Sequence, residues 1–152
     1  MKVLLAFATY SSGTDLASQL VASLISEQNI GVDRKNIKEV TADSFENYDY
    51  IIFASPSWRT RKGDGMPHEF FLDFMDQNEH ADFSGHKFAI FGLGDKAYTH
   101  FGGAVDELTK FVKSRGGNII GEPLKIDGFY FAQHENEELL IEWTKKLLSQ
   151  IS

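Results

Sequence analysis

Short apolar runs alternate with amphipathic segments along the chain. Nearly continuous apolar runs occupy residues 3–8, 50–55 and 87–92, and a fourth apolar segment covers residues 118–126. Runs of this kind are typical of parallel strands that are covered on both faces. A further, weaker strand is predicted around Ile37 to Val40, where the pattern is poorly marked.

Apolar residues repeat at helical spacing between and after these runs. The stripes begin at Leu16, Phe70, Val105 and Leu140. Strands that alternate with helices predict an α/β fold, a doubly wound parallel sheet with helices on both faces. The chain has 152 residues and shows no internal repeat or linker. We therefore predict a single domain over residues 1–152.

Ligands of such sheets bind beyond the carboxyl ends of the strands, where the strand order reverses. Three segments follow the three strongest strands, at residues 9–14, 55–66 and 92–102. Because parallel strands end at the same edge of a sheet, we expect these three segments to lie together.

The first segment, TYSSGT, joins a strand to a helix. The free N–H groups and the dipole of a helix start attract an anion, and Thr9, Ser11, Ser12 and Thr14 add hydroxyl donors. Gly13 allows a close backbone approach. No lysine is present to neutralise a polyphosphate, so a phosphate monoester suits the segment better. The alternative is an ordinary Ser/Thr helix cap that binds nothing.

The third segment contains GLGDKA at residues 92–97, which matches the dinucleotide pattern G-x-G-x-x-A. That pattern belongs to the first strand–helix turn of a fold and requires an acidic residue about 20 positions later. Here the motif comes late, and residues 112–118 contain no acid. We therefore do not interpret it as a dinucleotide site.

The same segment can instead hold a flat heterocycle. Gly92 and Gly94 leave backbone N–H groups open, Asp95 can accept from a ring N–H, and Tyr98 can lie against the ring. Phe101 is interpreted mainly as packing for the loop.

The middle segment, SPSWRTRKGDGMP, is predicted to be an extended loop because of its proline and glycines. Trp58 has no apolar partner at regular spacing, so it is a candidate wall for a planar ligand. Trp58 and Tyr98 would form a slot for a tricyclic ring. A monophosphate site and an aromatic slot at one sheet edge together indicate flavin mononucleotide (FMN).

Composition narrows the possible partners and the compartment. The formal net charge is −7, which argues against nucleic acid and leaves a basic protein as a plausible partner. The absence of cysteine excludes disulfides and cysteine–zinc sites, and a cytoplasmic protein is the simplest interpretation. No stretch approaches the roughly 20 apolar residues that span a membrane. The five histidines have no metal-binding spacing.

Three motifs resemble those of short-chain flavodoxins. TYSSGT resembles the phosphate loop [ST]-x-[ST]-G-N-T, PSW resembles the first flavin loop, and FGLGDKAYTHFGGAVDEL is close to the second flavin loop. IDG at residues 126–128 also occurs after the last strand of the family. The resemblance covers essentially the whole chain and implies a five-stranded sheet in the order 2-1-3-4-5.

The resemblance implies a site in which the first segment binds phosphate and Trp58 and Tyr98 sandwich the ring. Residues 55–57 would contact the ribityl chain or ring edge, and residues 92–95 would bind the pyrimidine. The complete predicted cofactor set is Thr9, Tyr10, Ser11, Ser12, Gly13, Thr14, Ser55, Pro56, Ser57, Trp58, Arg59, Gly92, Leu93, Gly94, Asp95, Tyr98 and Phe101.

The function implied by the resemblance is one-electron carriage between redox protein partners by a monomer that is not an enzyme. The alternative is an NAD(P)H-dependent FMN or quinone reductase of the same fold, in which the basic residues after Trp58 bind the dinucleotide phosphate. Those residues, Arg59, Arg61 and Lys62, stand where the family usually has glycine and acids. Because opposite charges attract, cations beside the ring are expected to make the second reduction potential of FMN less negative than usual.

Overall fold

The structure, a computed structural model, describes residues 1–10, 12–95, 101–129 and 133–151. Strands and helices alternate along these ranges. The strands are β1 (Lys2–Phe7), β2 (Gly31–Asn36), β3 (Tyr50–Thr60), β4 (Gly63–Pro67), β5 (Lys87–Gly94), β6 (Asn118–Ile119) and β7 (Leu124–Asp127). The α-helices are α1 (Gly13–Ser26), α2 (Glu69–Gln77), α3 (Gly103–Ser114) and α4 (Gln133–Ile151).

The parallel sheet has the order β2-β1-β3-β5, with β6 and β7 beyond β5. Leu4 of β1 lies opposite Ile51 of β3, and Phe53 of β3 lies opposite Ile90 of β5. The apolar runs of these central strands are buried, as strands covered on both faces require. The predicted α/β architecture is therefore confirmed. The predicted order 2-1-3-4-5 is confirmed as well: among the described residues, β4 pairs only with β3, outside this row, so β5 is the fourth strand of the order, and β6 and β7 share the fifth position.

The fifth position is divided because the chain turns in the middle of the predicted strand over 118–126. β6 pairs with the start of β5 through Ile119 and Phe88, and β7 pairs with its end through Ile126 and Leu93. Between the two strands, Gly121 has a φ of 68°, a conformation that glycine adopts at little cost.

The second strand lies earlier than predicted. β2 ends at Asn36, and residues 37–39 form a 3-10 turn, so the strand predicted around Ile37 to Val40 was wrong. The Asn36 side chain caps the turn by accepting a hydrogen bond from the backbone N–H of Lys38 at 3.1 Å. β2 lies at the sheet edge and is largely polar, so its sequence GVDRKN has no apolar run to mark it.

A hydrogen-bonded pair fastens this edge strand to the chain that leads into β3. The Tyr48 hydroxyl donates to the Asp33 carboxylate at 2.6 Å, and the Lys2 ammonium lies 3.2 Å from the same carboxylate. The bond from Tyr48 lowers the pKa of Asp33 below its ordinary value. Burial, together with the bond to Asp33, raises the pKa of Tyr48 to about 12.

The middle segment is a β-hairpin rather than the predicted extended loop. β3 continues past its apolar run to Thr60, and β4 returns antiparallel to it. Trp58 on β3 lies opposite Met66 on β4. Gly63, the first residue of β4 after the turn at residues 61–62, has a φ of 114°. The hairpin therefore holds Trp58 on a paired strand that projects beyond the sheet edge.

The start of α3 packs closely on this hairpin. A Cβ atom on Gly103 would lie 2.0 Å from the carbonyl oxygen of Gly65, so no other residue fits there without a shift of the backbone. The Ser57 hydroxyl accepts a hydrogen bond from the backbone N–H of Ala104 at 2.9 Å. These contacts connect the end of β3 with the segment that follows β5.

Helices cover both faces of the sheet, and each face has its own core. The core beneath α2 and α3 is rich in phenylalanine, whereas the core beneath α1 and α4 is mainly aliphatic. Representative members are Phe45, Phe53, Phe71, Phe88 and Leu108 on the first face and Leu5, Val21, Phe91, Leu140 and Leu147 on the second. Within the described ranges, no helix combines the length and apolarity needed to cross a membrane.

Candidate functional site

The first strand–helix turn presents the start of α1 at the carboxyl edge of the sheet. Ser12 has a left-handed backbone, with a φ of 70°, and its side chain makes no capping hydrogen bond to the helix. Flavodoxins carry glycine at the matching position, and glycine adopts this conformation most easily. Gly13 and Thr14 follow, both buried. Ser11 lies outside the described residues.

Thr9 supplies the most informative polar atom of this turn. Its hydroxyl oxygen is buried but has no hydrogen-bond partner among the residues that the structure describes. A buried hydroxyl without a partner carries a desolvation cost of about 1–3 kcal/mol. At a helix start that already attracts an anion, this hydroxyl fits a role as a donor to a bound phosphate.

Arg34 controls the charge of the first helical turn. Its guanidinium contacts the Asp15 carboxylate at 2.5 Å and the Ser18 hydroxyl at 3.1 Å. Asp15 would repel a dianion if its charge were unopposed. Because Arg34 opposes that charge from the neighbouring strand β2, the turn remains compatible with a phosphate.

Aromatic side chains form a wall between the first turn and the hairpin. Trp58 is 52% exposed and Tyr10 is 43% exposed, values that are high for such large rings. Their ring centroids lie 5.6 Å apart with an interplanar angle of 43°. The structure thus brings together two predicted site residues from different segments. Tyr98, the predicted opposite wall, lies outside the described residues.

The serines after the apolar run of β3 have structural partners. Ser55 is fully buried, and its hydroxyl donates to the Pro56 carbonyl at 2.9 Å and accepts from the backbone N–H of His68 at 3.0 Å. Ser57 accepts from the first turn of α3, as described above. Both hydroxyls brace the surrounding chain, so the predicted contact of residues 55–57 with a cofactor stays a prediction.

The third segment leaves β5 through tightly packed glycines. A Cβ atom on Gly92 would lie 2.7 Å from both the Ser55 carbonyl oxygen and a methyl group of Val105, so the strand can carry no side chain there. Gly94 packs near the Phe101 ring, and its carbonyl accepts the backbone N–H of Gly128 at 2.9 Å.

The remaining predicted residues of this segment differ in exposure. Leu93 is buried, at 8% exposure, and Asp95 is partly buried. Phe101 is also partly buried, in agreement with its interpretation as loop packing. The segment therefore presents mainly backbone at the sheet edge.

Most of the basic side chains of the hairpin face α2. Arg61 pairs with Glu69 and lies 3.1 Å from both Asp73 and Asp76. Lys62 lies 2.9 Å from Asp76, and its hydrogen bond lowers the pKa of that carboxyl. These ion pairs offset the charges of Arg61 and Lys62, two of the cations expected beside the flavin ring.

Arg59 is placed differently from its two basic neighbours. Its side chain is 85% exposed, 3.6 Å from the Asp64 carboxylate, so its charge is largely screened by water. The expectation of a less negative second reduction potential now depends chiefly on Arg59 and on Lys96 of the third segment, which lies outside the described residues. It stays a prediction.

Sequence reasoning missed His68, which lies at the centre of this region. It caps the start of α2, is only 4% exposed, and stacks on Tyr10 with ring centroids 3.9 Å apart. Its position after Pro67 and before an acidic first helical turn is a recognisable helix-start signal. That signal could reveal the cap but not the long-range contact with Tyr10.

A cavity of about 520 Å³ lies beside the hairpin and the start of α3. Its lining includes the acidic residues Asp64, Asp106 and Glu107, and Lys125 pairs with one of them, Asp106, at 2.8 Å. A phosphate group is disfavoured on this acidic side of the hairpin. Between these two places, the Thr9 turn is the one whose chemistry suits an anion. Among the described residues, no cluster of histidine and carboxylates could hold a metal ion.

Comparisons with known proteins agree with this geometry. A family model described as Flavodoxin matches residues 5–143. Probable flavodoxin 2 of Bacillus subtilis (strain 168) is 37% identical over 146 residues, which cover 95% of this chain and 93% of that protein. A flavodoxin of Maridesulfovibrio salexigens is 31% identical over 99% of both chains. The crystal structure of oxidised Flavodoxin 2 from Bacillus cereus superposes with a TM-score of 0.88, with 28% identity and 99% coverage of each chain.

Proposed function

The chain belongs to the flavodoxin family, and from that premise we infer which of its residues hold the cofactor and how it meets its partners. It is an FMN-binding electron carrier rather than an enzyme, and it works with redox partners. FMN supplies the one-electron chemistry, and the protein binds and orients it.

We propose that residues 9–14 bind the phosphate of FMN. The observation that carries this proposal is the buried Thr9 hydroxyl, which has no partner among the described residues, next to the start of α1. The Arg34–Asp15 pair supports it by opposing the one acidic charge in the first turn of that helix.

The ring of the cofactor lies against Trp58 in this proposal. Tyr98 forms the opposite wall, and the backbone from Gly92 to Asp95 binds the pyrimidine edge. The exposed rings of Trp58 and Tyr10 support this arrangement, because apolar surface of that size gains from being covered. Residues 55–57 contact the ribityl chain or ring edge, and Arg59 and Phe101 complete the proposed set.

The finer aspects of function are proposals as well. Residues 1–152 act as one domain, the protein works as a cytoplasmic monomer, and its redox partners dock through basic surfaces. The net charge of −7 supports basic partners, and the cysteine-free composition is compatible with a reducing compartment. Light scattering tests the monomer. Reduction of cytochrome c, a basic acceptor, tests the docking charge, because it should slow as salt rises.

The proposal is tested by titrating the apoprotein with FMN and then supplying NADPH. One FMN should bind per chain with strong quenching of flavin fluorescence, because an aromatic side chain stacks on the ring. The loaded protein should pass electrons to cytochrome c from a chemical reductant but should not oxidise NADPH through repeated turnovers. Sustained NADPH oxidation would instead support the reductase alternative, and failure to bind FMN would refute the proposed site.

A further inference from the structure

His68 connects three parts of the candidate site through one buried side chain. Its backbone N–H donates to the Ser55 hydroxyl at 3.0 Å, which fixes its position relative to the end of β3. Its ring accepts a hydrogen bond at Nδ1 from the backbone N–H of Phe70 at 3.0 Å, and this caps α2. The backbone of Thr9 also lies beside the ring.

Neutral imidazole matches the contact with Phe70. Nδ1 must accept a hydrogen bond there, whereas both nitrogens of imidazolium are donors. Burial favours the neutral form and lowers the pKa of His68. The nearby carboxylates, Glu69 and Asp73 on α2, are both paired with Arg61.

Tyr10 adds a second connection between the first turn and α2. Its ring stacks on the His68 ring at an interplanar angle of 23°, and its hydroxyl accepts the backbone N–H of Glu69 at 3.3 Å. Tyr10 also contacts Trp58, and the centroids of these two rings lie 5.6 Å apart. These contacts of Tyr10 hold the chain at residues 9 and 10 against α2, and none of them is needed to cap the helix.

Resting on the FMN site proposed above, we propose that His68 is a positioning residue for the phosphate-binding turn. By stacking on the Tyr10 ring, it fixes residues 9 and 10 in the conformation that receives the phosphate. A turn held in its binding conformation loses less conformational entropy when the ligand arrives. His68 itself need not touch FMN.

The test separates this role from that of a simple helix cap. Asparagine is a good cap, so His68→Asn keeps an acceptor for the start of α2 but loses the ring stack on Tyr10. The matched control is His80→Asn, because His80 is exposed beyond the end of α2. Apo forms of both variants and of the wild type are titrated with FMN and with riboflavin, which lacks the phosphate.

We expect His68→Asn to raise the Kd for FMN about three- to tenfold, the cost of one lost ring stack. The Kd for riboflavin should change less than twofold, and His80→Asn should match the wild type for both ligands. An FMN affinity within twofold of the wild type, or an equal loss for both ligands, would overturn the proposal. If the wild type bound neither ligand, the FMN site itself would be refuted.

A second measurement needs no variant. Long-range proton–nitrogen NMR spectra of the wild-type protein should show His68 as the neutral Nε2–H tautomer, because Nδ1 accepts from Phe70. An Nδ1–H tautomer, or an imidazolium ring at neutral pH, would contradict the hydrogen bond that holds the ring in place.

Discussion

Replacement of Thr9 by valine removes the buried hydroxyl and keeps the shape of the side chain. Because that hydroxyl has no partner among the described residues, the apoprotein should lose nothing and should gain stability from relieving an unsatisfied polar group. The gain should be about 1 kcal/mol, or roughly 2–4 °C in Tm for a domain of this size.

FMN binding should change in the opposite direction. A hydrogen bond from a hydroxyl to a charged phosphate contributes about 1.5–3 kcal/mol, so Thr9→Val should raise the Kd for FMN roughly 10- to 150-fold. Opposite signs for stability and affinity are the result that distinguishes a ligand-binding hydroxyl from a packing one.

Thr109 provides a matched control. Its hydroxyl is the other buried one that lacks a partner among the described residues, and it lies in α3 about 9 Å along the axis from the helix start. Thr109→Val should raise the apoprotein Tm by a similar amount and leave the Kd for FMN unchanged. The two values come from thermal unfolding of the apoproteins and from fluorescence titration with FMN. An unchanged FMN affinity in Thr9→Val would refute the assignment of the phosphate to this turn.

Three further perturbations test the hairpin, the sheet edge and the basic residues. Gly103→Ala should lower Tm by roughly 3–10 °C, because its Cβ would clash with a hairpin carbonyl; Gly31→Ala, where the nearest atoms lie 3.7 Å away, should change it little. Asp33→Asn should lower stability at neutral pH. The hydrogen bond from Tyr48 lowers the pKa of Asp33 below its ordinary value of 3.8. The stability that the ionised carboxylate contributes is therefore full above pH 3.8 and is lost as the pH falls further. Urea unfolding at several pH values should accordingly show that the free energy of unfolding falls less steeply towards acid pH in the variant. Arg59→Gln should make the second reduction potential of FMN more negative, by an amount that shrinks with salt, and a redox titration showing no change or a positive shift would contradict this.

The central strands could be predicted from sequence because burial on both faces leaves a continuous apolar run. The runs at residues 3–8, 50–55 and 87–92 each coincide with the buried part of a strand. β2 could not be found in this way, since an edge strand needs few apolar residues and its stability comes from pairing with β1. Proline and glycine between residues 55 and 67 suggested a loop. The hairpin tolerates them because β4 pairs with β3 along only one of its edges.

The candidate site was predictable where a single residue type carries the signal. The hydroxyls of the first turn and the unpatterned Trp58 could be recognised from their type and position, and the structure places Tyr10 and Trp58 together. The pairing of Arg61 with the carboxylates of α2, and the stacking of His68 on Tyr10, depend on contacts between distant parts of the chain. No local pattern encodes them.

The central claim is that three chain segments at one edge of the sheet enclose FMN. Amide hydrogen exchange, compared between apoprotein and FMN-loaded protein, tests it most directly, because bound ligand slows exchange where it contacts or orders the backbone. The account predicts added protection in peptides that cover residues 9–15, 55–59 and 92–102, with little change at the opposite end of the sheet around Asp43 and Phe83. Protection concentrated at that opposite end, or absent from residues 9–15, would contradict it.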